Sequence, residues 1–368
     1  MFTQIMRAFI WMTSAAAAIL FALVVIQRLS HPAAASPLEG ALLDYAQRLT
    51  EHRPFYVEPA APASPQPMPG YPVLLSLLGR LFGLRLGVLR AVSIVATVLS
   101  ALGVAAIVRA ETQSTTFAIA GAGLLLAGCA LITGGPDIAR PEMLMLVMVL
   151  AAFAALRFTT GALGALLGAG LLTAACSVHP FAVWFAIGAL CFIGIDDRRR
   201  LLFTLAALAV LTGGGFVALS LGLGPWFNFF AWDLPLHSLH FEPTMMLRFL
   251  GTQMLGQLGV LAVSVVLTLA LPAPPWRGNR GLWTFMGIAM LASGLTATQG
   301  GSMDPALLVP GVVVLALLGP MSLERLTRYL AAWPGSNRVE GQGVAMLTLA
   351  LQFLILATAV PAVVATLW

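Results

Sequence analysis

Apolar residues run along this chain in blocks, not in alternation. Windows of roughly 20 apolar residues recur with short polar breaks, each long enough to cross a hydrocarbon core of about 30 Å. A run such as VSIVATVLSALGVAAIV lacks the period-two pattern that strands of a membrane barrel carry. Lipid offers no water to bond an open backbone, so such blocks fold as helices that satisfy their own N–H and C=O groups. The pattern predicts eleven spans, at 7–27, 88–109, 115–133, 142–158, 163–177, 180–195, 200–222, 246–271, 281–298, 305–320 and 342–366. The stretch YPVLLSLLGRLFG (71–83) has only 13 residues and is placed as a helix lying at the membrane surface. The expected fold class is all-α: a polytopic membrane protein, one transmembrane domain over 1–368, with surface helices in a first outer loop at 28–87.

Composition agrees with the pattern. Of 368 residues, 60% are hydrophobic and 9% charged, with a mean hydropathy of +0.95; soluble domains carry about 25% charged residues. Cys129, Cys176 and Cys191 fall in or beside spans without metal-like spacing and are expected to pack as small apolar residues. The first apolar segment precedes an Ala-rich AAAS, but its length exceeds that of a signal-peptide core, so it is assigned as an uncleaved first span.

Charge sets the expected orientation. All 19 basic residues are arginine. With eleven spans and a cytoplasmic N-terminus, the inner segments hold 11 Arg and five acids, and the outer ones 8 Arg and nine acids. The short loops DDRRR, PWRGNR and ERLTRYLAAWPGSNR then lie inside, as the positive-inside rule requires. The C-terminus becomes periplasmic, and the localisation expected is a bacterial inner membrane. No basic patch suited to nucleic acid is present.

On this topology the polar chemistry gathers outside. Residues 37–59, PLEGALLDYAQRLTEHRPFYVEP, hold four carboxylates: Glu39, Asp44, Glu51 and Glu58. ALLDYAQRL has helical spacing, and Glu39 sits near that helix's start, where the dipole favours a carboxylate. The expectation is a water-facing loop in which Glu39 acts as general base, an N-terminal helix acid being the alternative. Arg53 and Tyr56 follow, where Pro54 disfavours helix, and are candidates to grip a phosphate or sugar hydroxyl. AAPASPQPMPG (60–70) has the composition of an extended linker. GGPDIARPE places Asp137, Arg140 and Glu142 at the mouth of a span, and SVHP places His179 at another. Arg248 lies at the outer end of an apolar run, placed to snorkel or meet a lipid phosphate. GLGPWFNFFAWDLPLHSLHFEP is aromatic, with His237 and His240, and Asp304 opens the tenth span as a helix cap. Nucleotide-binding and metalloprotease motifs are absent.

These segments, in this order, resemble the GT-C superfamily of lipid-dependent glycosyltransferases. PLEGALLDYAQRLTEHRPFYVEP is similar to its first-loop pattern of acid, helix and closing Tyr-x-x-Pro. GYPVLLSLLGRLFG and the arginine of VLRAVSIVATVL (Arg90) follow as an aromatic-proline segment and a basic residue do there. DIARPEMLMLVMVLAAFAALRF resembles the Arg-Pro-Asp-x-Leu stretch opening the fourth span, SVHPFAV the basic turn before the sixth, and GGSMDPALLVPGVVVLALL the late outer-loop-to-helix segment. The resemblance implies a polyprenyl-phosphate sugar donor entering from the outer leaflet and an acceptor approaching from the periplasm. It gives Glu39 the place of the first-loop acid, usually Asp. Arg140 and Glu142 match the Arg-Pro-acid stretch, again with Glu for Asp, and His179 stands where Lys is frequent. The Glu-Lys pair of some branches is replaced by Met68-Pro69-Gly70-Tyr71. The phosphate charge would then fall to Arg53, Arg90, Arg140, His179 or Arg248, with Tyr56 and Glu142 as further substrate-site residues. The resemblance leaves the cofactor open: none is certain, and a divalent cation (Mg or Mn) suits a phosphate-holding role in which superfamily members differ. A transporter or flippase of similar build and a non-catalytic GT-C-like partner subunit are the alternatives.

Overall fold

The computed structural model describes residues 2–29, 34, 36–59, 68–131, 139–234, 237, 242–270, 279–297, 308–332 and 338–367. Asp137, His240, Asp304 and most of the Pro-rich linker lie outside the described residues. Every regular element among the described residues is helical.

The chain opens with α1 (Phe2–Leu29), then α2 (Pro37–Thr50) and α3 (Gly70–Phe82) in the first loop. Next come α4 (Leu86–Thr112), α5 (Thr115–Leu131), α6 (Pro141–Phe158), α7 (Gly161–Val178) and α8 (Ala182–Asp196). α9 (Arg198–Leu223) contains a wider π-helical turn at Ala209–Gly213, and α10 (Trp226–Asn228) runs into another at Phe229–Asp233. α11 (Pro243–Arg248) continues through Phe249–Leu255, after which α12 (Gly256–Ala270) departs sharply. α13 (Asn279–Ala297), α14 (Val309–Ala331), α15 (Arg338–Ala357) and α16 (Val360–Leu367) complete the bundle.

Seven of these helices are long and apolar enough to cross a membrane: α1, α4, α6, α7, α9, α14 and the run Glu340–Val363. The expected span at 246–271 falls on the bent pair α11–α12, and those at 115–133, 180–195 and 281–298 fall on the shorter apolar helices α5, α8 and α13. The stretch 71–83 is the short helix α3.

α14 is the axis of the bundle. Its residues from Val309 to Pro320 are all buried, and α4, α5, α12, α13 and α15 pack around it. α5 is buried on nearly every side, as a helix apolar all round must be. Small residues let its neighbours approach: a Cβ on Gly123 would lie 2.5 Å from the Ser14 Oγ of α1, and one on Gly128 2.6 Å from Val312 of α14. α1, α9 and α12 instead present exposed large side chains such as Ile26, Leu221 and Val266, the surface that lipid covers.

The charges of α4 lie only near its two ends. Along α4, Arg90 and Glu111 are 21 residues apart, about 30 Å at 1.5 Å per residue, which matches the thickness of a hydrocarbon core. The Arg90 end also carries α2, the start of α6 and the end of α7.

Candidate active site

α2 begins with Ser36 as its cap, the hydroxyl accepting the Glu39 N–H at 3.4 Å, and Pro37 in the first turn. That start is favourable because Pro lacks the N–H the first turn cannot use. The helix buries Glu39, Leu42, Tyr45 and Ala46 on one face, so the carboxylate points into protein. Asp44 and Arg48 pair on the other face at 2.7 Å.

Glu39 does not face water. It is 0% exposed and Arg90 1% exposed. Arg90 Nε donates to Glu39 Oε1 at 2.9 Å and Arg90 Nη2 to Glu39 Oε2 at 2.9 Å, the two-pronged geometry that gives charge-assisted pairs their strength. The Ala139 N–H donates to Glu39 Oε1 at 3.0 Å, and Arg90 Nη1 donates to the Arg28 carbonyl at 2.7 Å. One carboxylate thus ties the end of α1, α2, α4 and the segment leading into α6. The expectation of a water-facing loop is corrected at this residue: a helix with one buried face carries Glu39 inward, where the Arg90 guanidinium stands in for solvent.

A second node sits one turn along α4. Ser93 Oγ accepts the Arg140 N–H at 3.0 Å and donates to the Arg140 carbonyl at 3.0 Å, and the Tyr71 hydroxyl lies 3.0 Å away. These bonds fix the extended backbone of Arg140 just before Pro141 starts α6. Arg140 Nη1 then lies 3.9 Å from Glu142 Oε1. Glu142 Oε2 is buried and accepts no hydrogen bond from any described residue.

His179 ends α7 in extended conformation, and its Nδ1 accepts the Phe181 N–H at 3.3 Å. Burial pushes the imidazole below its ordinary pKa, and the nearby Glu142 carboxylate partly restores it. A neutral imidazole accepting at Nδ1 keeps its proton on Nε2, which is left as a hydrogen-bond donor. α3 reaches this end because Gly70 has no side chain: a Cβ there would meet the Ser177 carbonyl at 2.6 Å.

The structure therefore brings together Glu39, Arg90, Arg140, Glu142 and His179. It separates the remaining candidates from them. Tyr56 is buried in an aromatic cluster with Tyr45, Phe55, Phe227 and Phe230, stacked on Phe230 at 5.4 Å between ring centroids. Burial raises its pKa well above the usual phenol value, and the ring serves to hold the first loop against α10. Arg53 is exposed and pairs with Glu51 at 2.8 Å. Arg248 is exposed at the end of α11 and has no side-chain partner among the described residues. Tyr71 and Ser93 were not singled out from sequence, although Ser93 lies three positions after Arg90 and so shares its helix face. Among the described residues no three of His, Cys, Asp and Glu gather as a metal site needs.

Beside this end an open groove of about 860 Å³ runs between α3 and α4, lined by Leu74, Leu78 and Phe82 on one side and Val88, Val92 and Val95 on the other, with Arg85 among the lining residues.

No family model matches the sequence, and no curated protein matches it. Solved structures do. ArnT from Cupriavidus metallidurans in the apo state superposes with a TM-score of 0.60 at 13% identity, covering 95% of this chain and 76% of that one. The same protein bound to undecaprenyl phosphate gives a TM-score of 0.59 at 12% identity, again over 95% and 76%. The chain has an ArnT-like fold. An all-α membrane bundle is what the apolar pattern implied, and its helices make the chain a multi-pass membrane protein. At this identity the likeness speaks for architecture, while the roles of individual residues rest on the local chemistry above.

Proposed function

We propose that this protein transfers a sugar from a polyprenyl-phosphate donor to an acceptor hydroxyl at the periplasmic face of the membrane. The observation that carries the proposal is the gathering of two carboxylates, two arginines and a neutral histidine at one end of a GT-C-like bundle, beside an apolar groove open to lipid. A neighbour of the same fold binds undecaprenyl phosphate, which supports a polyprenyl lipid as partner.

In this reading the prenyl chain lies along the groove between α3 and α4, and Arg140 with His179 Nε2 holds the phosphate. The acceptor oxygen attacks the anomeric carbon, the carbon–oxygen bond to phosphate breaks, and the phosphate departs with that electron pair. A carboxylate takes the hydroxyl proton. Glu39 fills that role only if its pair with Arg90 opens, whereas Glu142 has an oxygen without a hydrogen-bond partner among the described residues and needs no such opening.

Purified protein in nanodiscs, supplied with polyprenyl-phosphate sugars and cell-envelope acceptors, should release polyprenyl phosphate. Whichever of Glu142→Gln and Glu39→Gln removes the base should slow the chemical step by about 10²–10⁴-fold, the usual contribution of a general base, with lipid binding retained. No turnover by wild-type protein with any donor, alongside intact lipid binding, would make the chain a non-catalytic partner of an active enzyme.

A further inference from the structure

At the end of the bundle opposite Glu39, another open cavity, of about 780 Å³, lies among the starts of α1, α5 and α15 and the end of α14. These four helices pack in a ring: α1 on α5, α5 on α14, α14 on α15 and α15 on α1. The cavity sits at the mouth of that ring, so it opens towards water and not sideways into hydrocarbon. The groove between α3 and α4 is walled by apolar side chains. Here the wall is polar instead, with Arg7, Thr115, Thr116, Arg328 and Gln342 on the lining and Glu324 as the acid among them.

The charges on this lining do not balance. Arg328 Nε donates to Glu324 Oε1 at 2.6 Å, which matches the acid. Arg7 has no carboxylate among the described residues; its Nη2 donates to the neutral Gln342 Oε1 at 3.3 Å. α5 also starts on this wall, with no acid in its first turn to offset the positive end of its dipole. Ser114 Oγ accepts the Phe117 N–H at 3.5 Å, and the N–H groups of Thr115 and Thr116 before it lack an intrahelical partner, as first-turn donors do. Thr116 is 9% exposed, lines the cavity, and its hydroxyl bonds no described residue. A hydroxyl kept from bulk water is costly to leave without a partner, and the cavity is where this one can find it. The carbonyls ending α14 oppose an anion, but the Ala332 N–H already bonds those of Arg328 and Tyr329. A guanidinium without a carboxylate, a helix start and a hydroxyl donor form the set that holds phosphate oxygens.

We propose that this cavity binds a phosphate group, its oxygens held by Arg7, the start of α5 and the Thr116 hydroxyl. A soluble phosphate ester and the headgroup of a lipid in the adjoining leaflet offer the same chemistry, and the opening to water favours the soluble source. The site is separate from the sugar-transfer end and does not depend on that reading.

Full-length protein in phosphatidylcholine nanodiscs would be titrated with radiolabelled inorganic phosphate. Arg140 and His179 at the other end can also take phosphate, so the quantity read is the binding that Arg7→Gln with Thr116→Val removes. Those two substitutions should weaken one saturable phosphate site at least tenfold, and Arg140→Gln should leave that site in place. Arg7 is exposed and valine keeps the shape of threonine, so an unchanged melting temperature should accompany the loss. Glycerol phosphate in solution should displace the label from the site. Displacement by phosphatidic acid in the nanodisc, with glycerol phosphate ineffective, would keep the phosphate site and assign it to a lipid headgroup. Wild-type protein that binds no phosphate saturably, a result that needs no variant, would overturn the proposal. So would saturable binding that Arg7→Gln with Thr116→Val leaves unchanged.

Discussion

Glu39 and Arg90 show how one buried pair can hold four segments. Removing two ions from water costs several kcal/mol each, which attraction offsets only when the geometry is close and the remaining hydrogen-bonding positions are filled. Arg90→Ala would strand a buried carboxylate and should cost about 3–5 kcal/mol, read as early thermal unfolding in detergent. Glu39→Leu combined with Arg90→Met should recover most of that loss, because apolar residues of similar volume often replace a buried pair without cost. If the double variant unfolds as early as Arg90→Ala, the pair is not what holds this end. His179 gives a separate, pH-dependent prediction. Its folded pKa lies below its ordinary value, so the unfolded chain takes up the proton first as pH falls. Its contribution to stability is complete above about pH 6.5, the ordinary imidazole value, and is lost as pH drops from there through the folded value. His179→Gln should flatten that part of a melting-temperature profile, and an unchanged slope would mean His179 is not the titrating group. Glu39, Arg90, Arg140 and His179 all stood out in the sequence as polar groups among apolar runs. Their partnerships did not, because spacing relates residues only within one helix, and Glu39 and Arg90 are 51 positions apart. Tyr56 misled for a related reason: a loop tyrosine followed by Pro suits a ligand contact or an aromatic latch equally, and only the distant Phe227 and Phe230 decide.

At the level of helices, hydropathy was an accurate guide to where elements lie and a poor one to how they touch. The span expected at 115–133 became α5, yet the contacts that seat it depend on glycines whose meaning is visible only with the neighbour in place. Without a hydrophobic force between helices in lipid, association relies on close packing, and small residues permit it. Gly123 of α5 and Ser14 of α1 form such a contact. Gly123→Val should push α1 away and cost about 1–3 kcal/mol through overpacking. Gly170→Ala in α7, where a Cβ would meet nothing within 4 Å, should instead gain about 0.5–1 kcal/mol from helix propensity. Parallel melting curves check the two, and similar shifts for both would refute the packing argument. The π-helical turns in α9 and α10 and the bend between α11 and α12 left no mark in the apolar pattern, since each keeps its residues lipid-compatible while changing only the backbone path.

For the molecule as a whole, the decisive quantity is which charge layer faces which side. The two layers, one around Glu39 and Arg90 and one around Glu111 and Arg157, lie about 30 Å apart along α4 at the helical rise, so each sits at one membrane surface. An eleven-span topology with a cytoplasmic N-terminus, which puts 11 arginines inside and 8 outside, predicts that the Glu39 layer lies in the periplasm, by the bias of short basic loops. Sugar transfer from a periplasmic donor depends on that assignment. In a chain freed of Cys129, Cys176 and Cys191, a cysteine in place of exposed Glu58, after α2, should react with a membrane-impermeant maleimide on intact spheroplasts. One in place of exposed Arg199, near the start of α9, should react only after permeabilisation. The reverse pattern would turn the bundle over and place Glu39, Arg140, Glu142 and His179 against the cytoplasm. A donor in the outer leaflet would then be out of reach, and the proposed chemistry would have to draw on the inner leaflet or be given up.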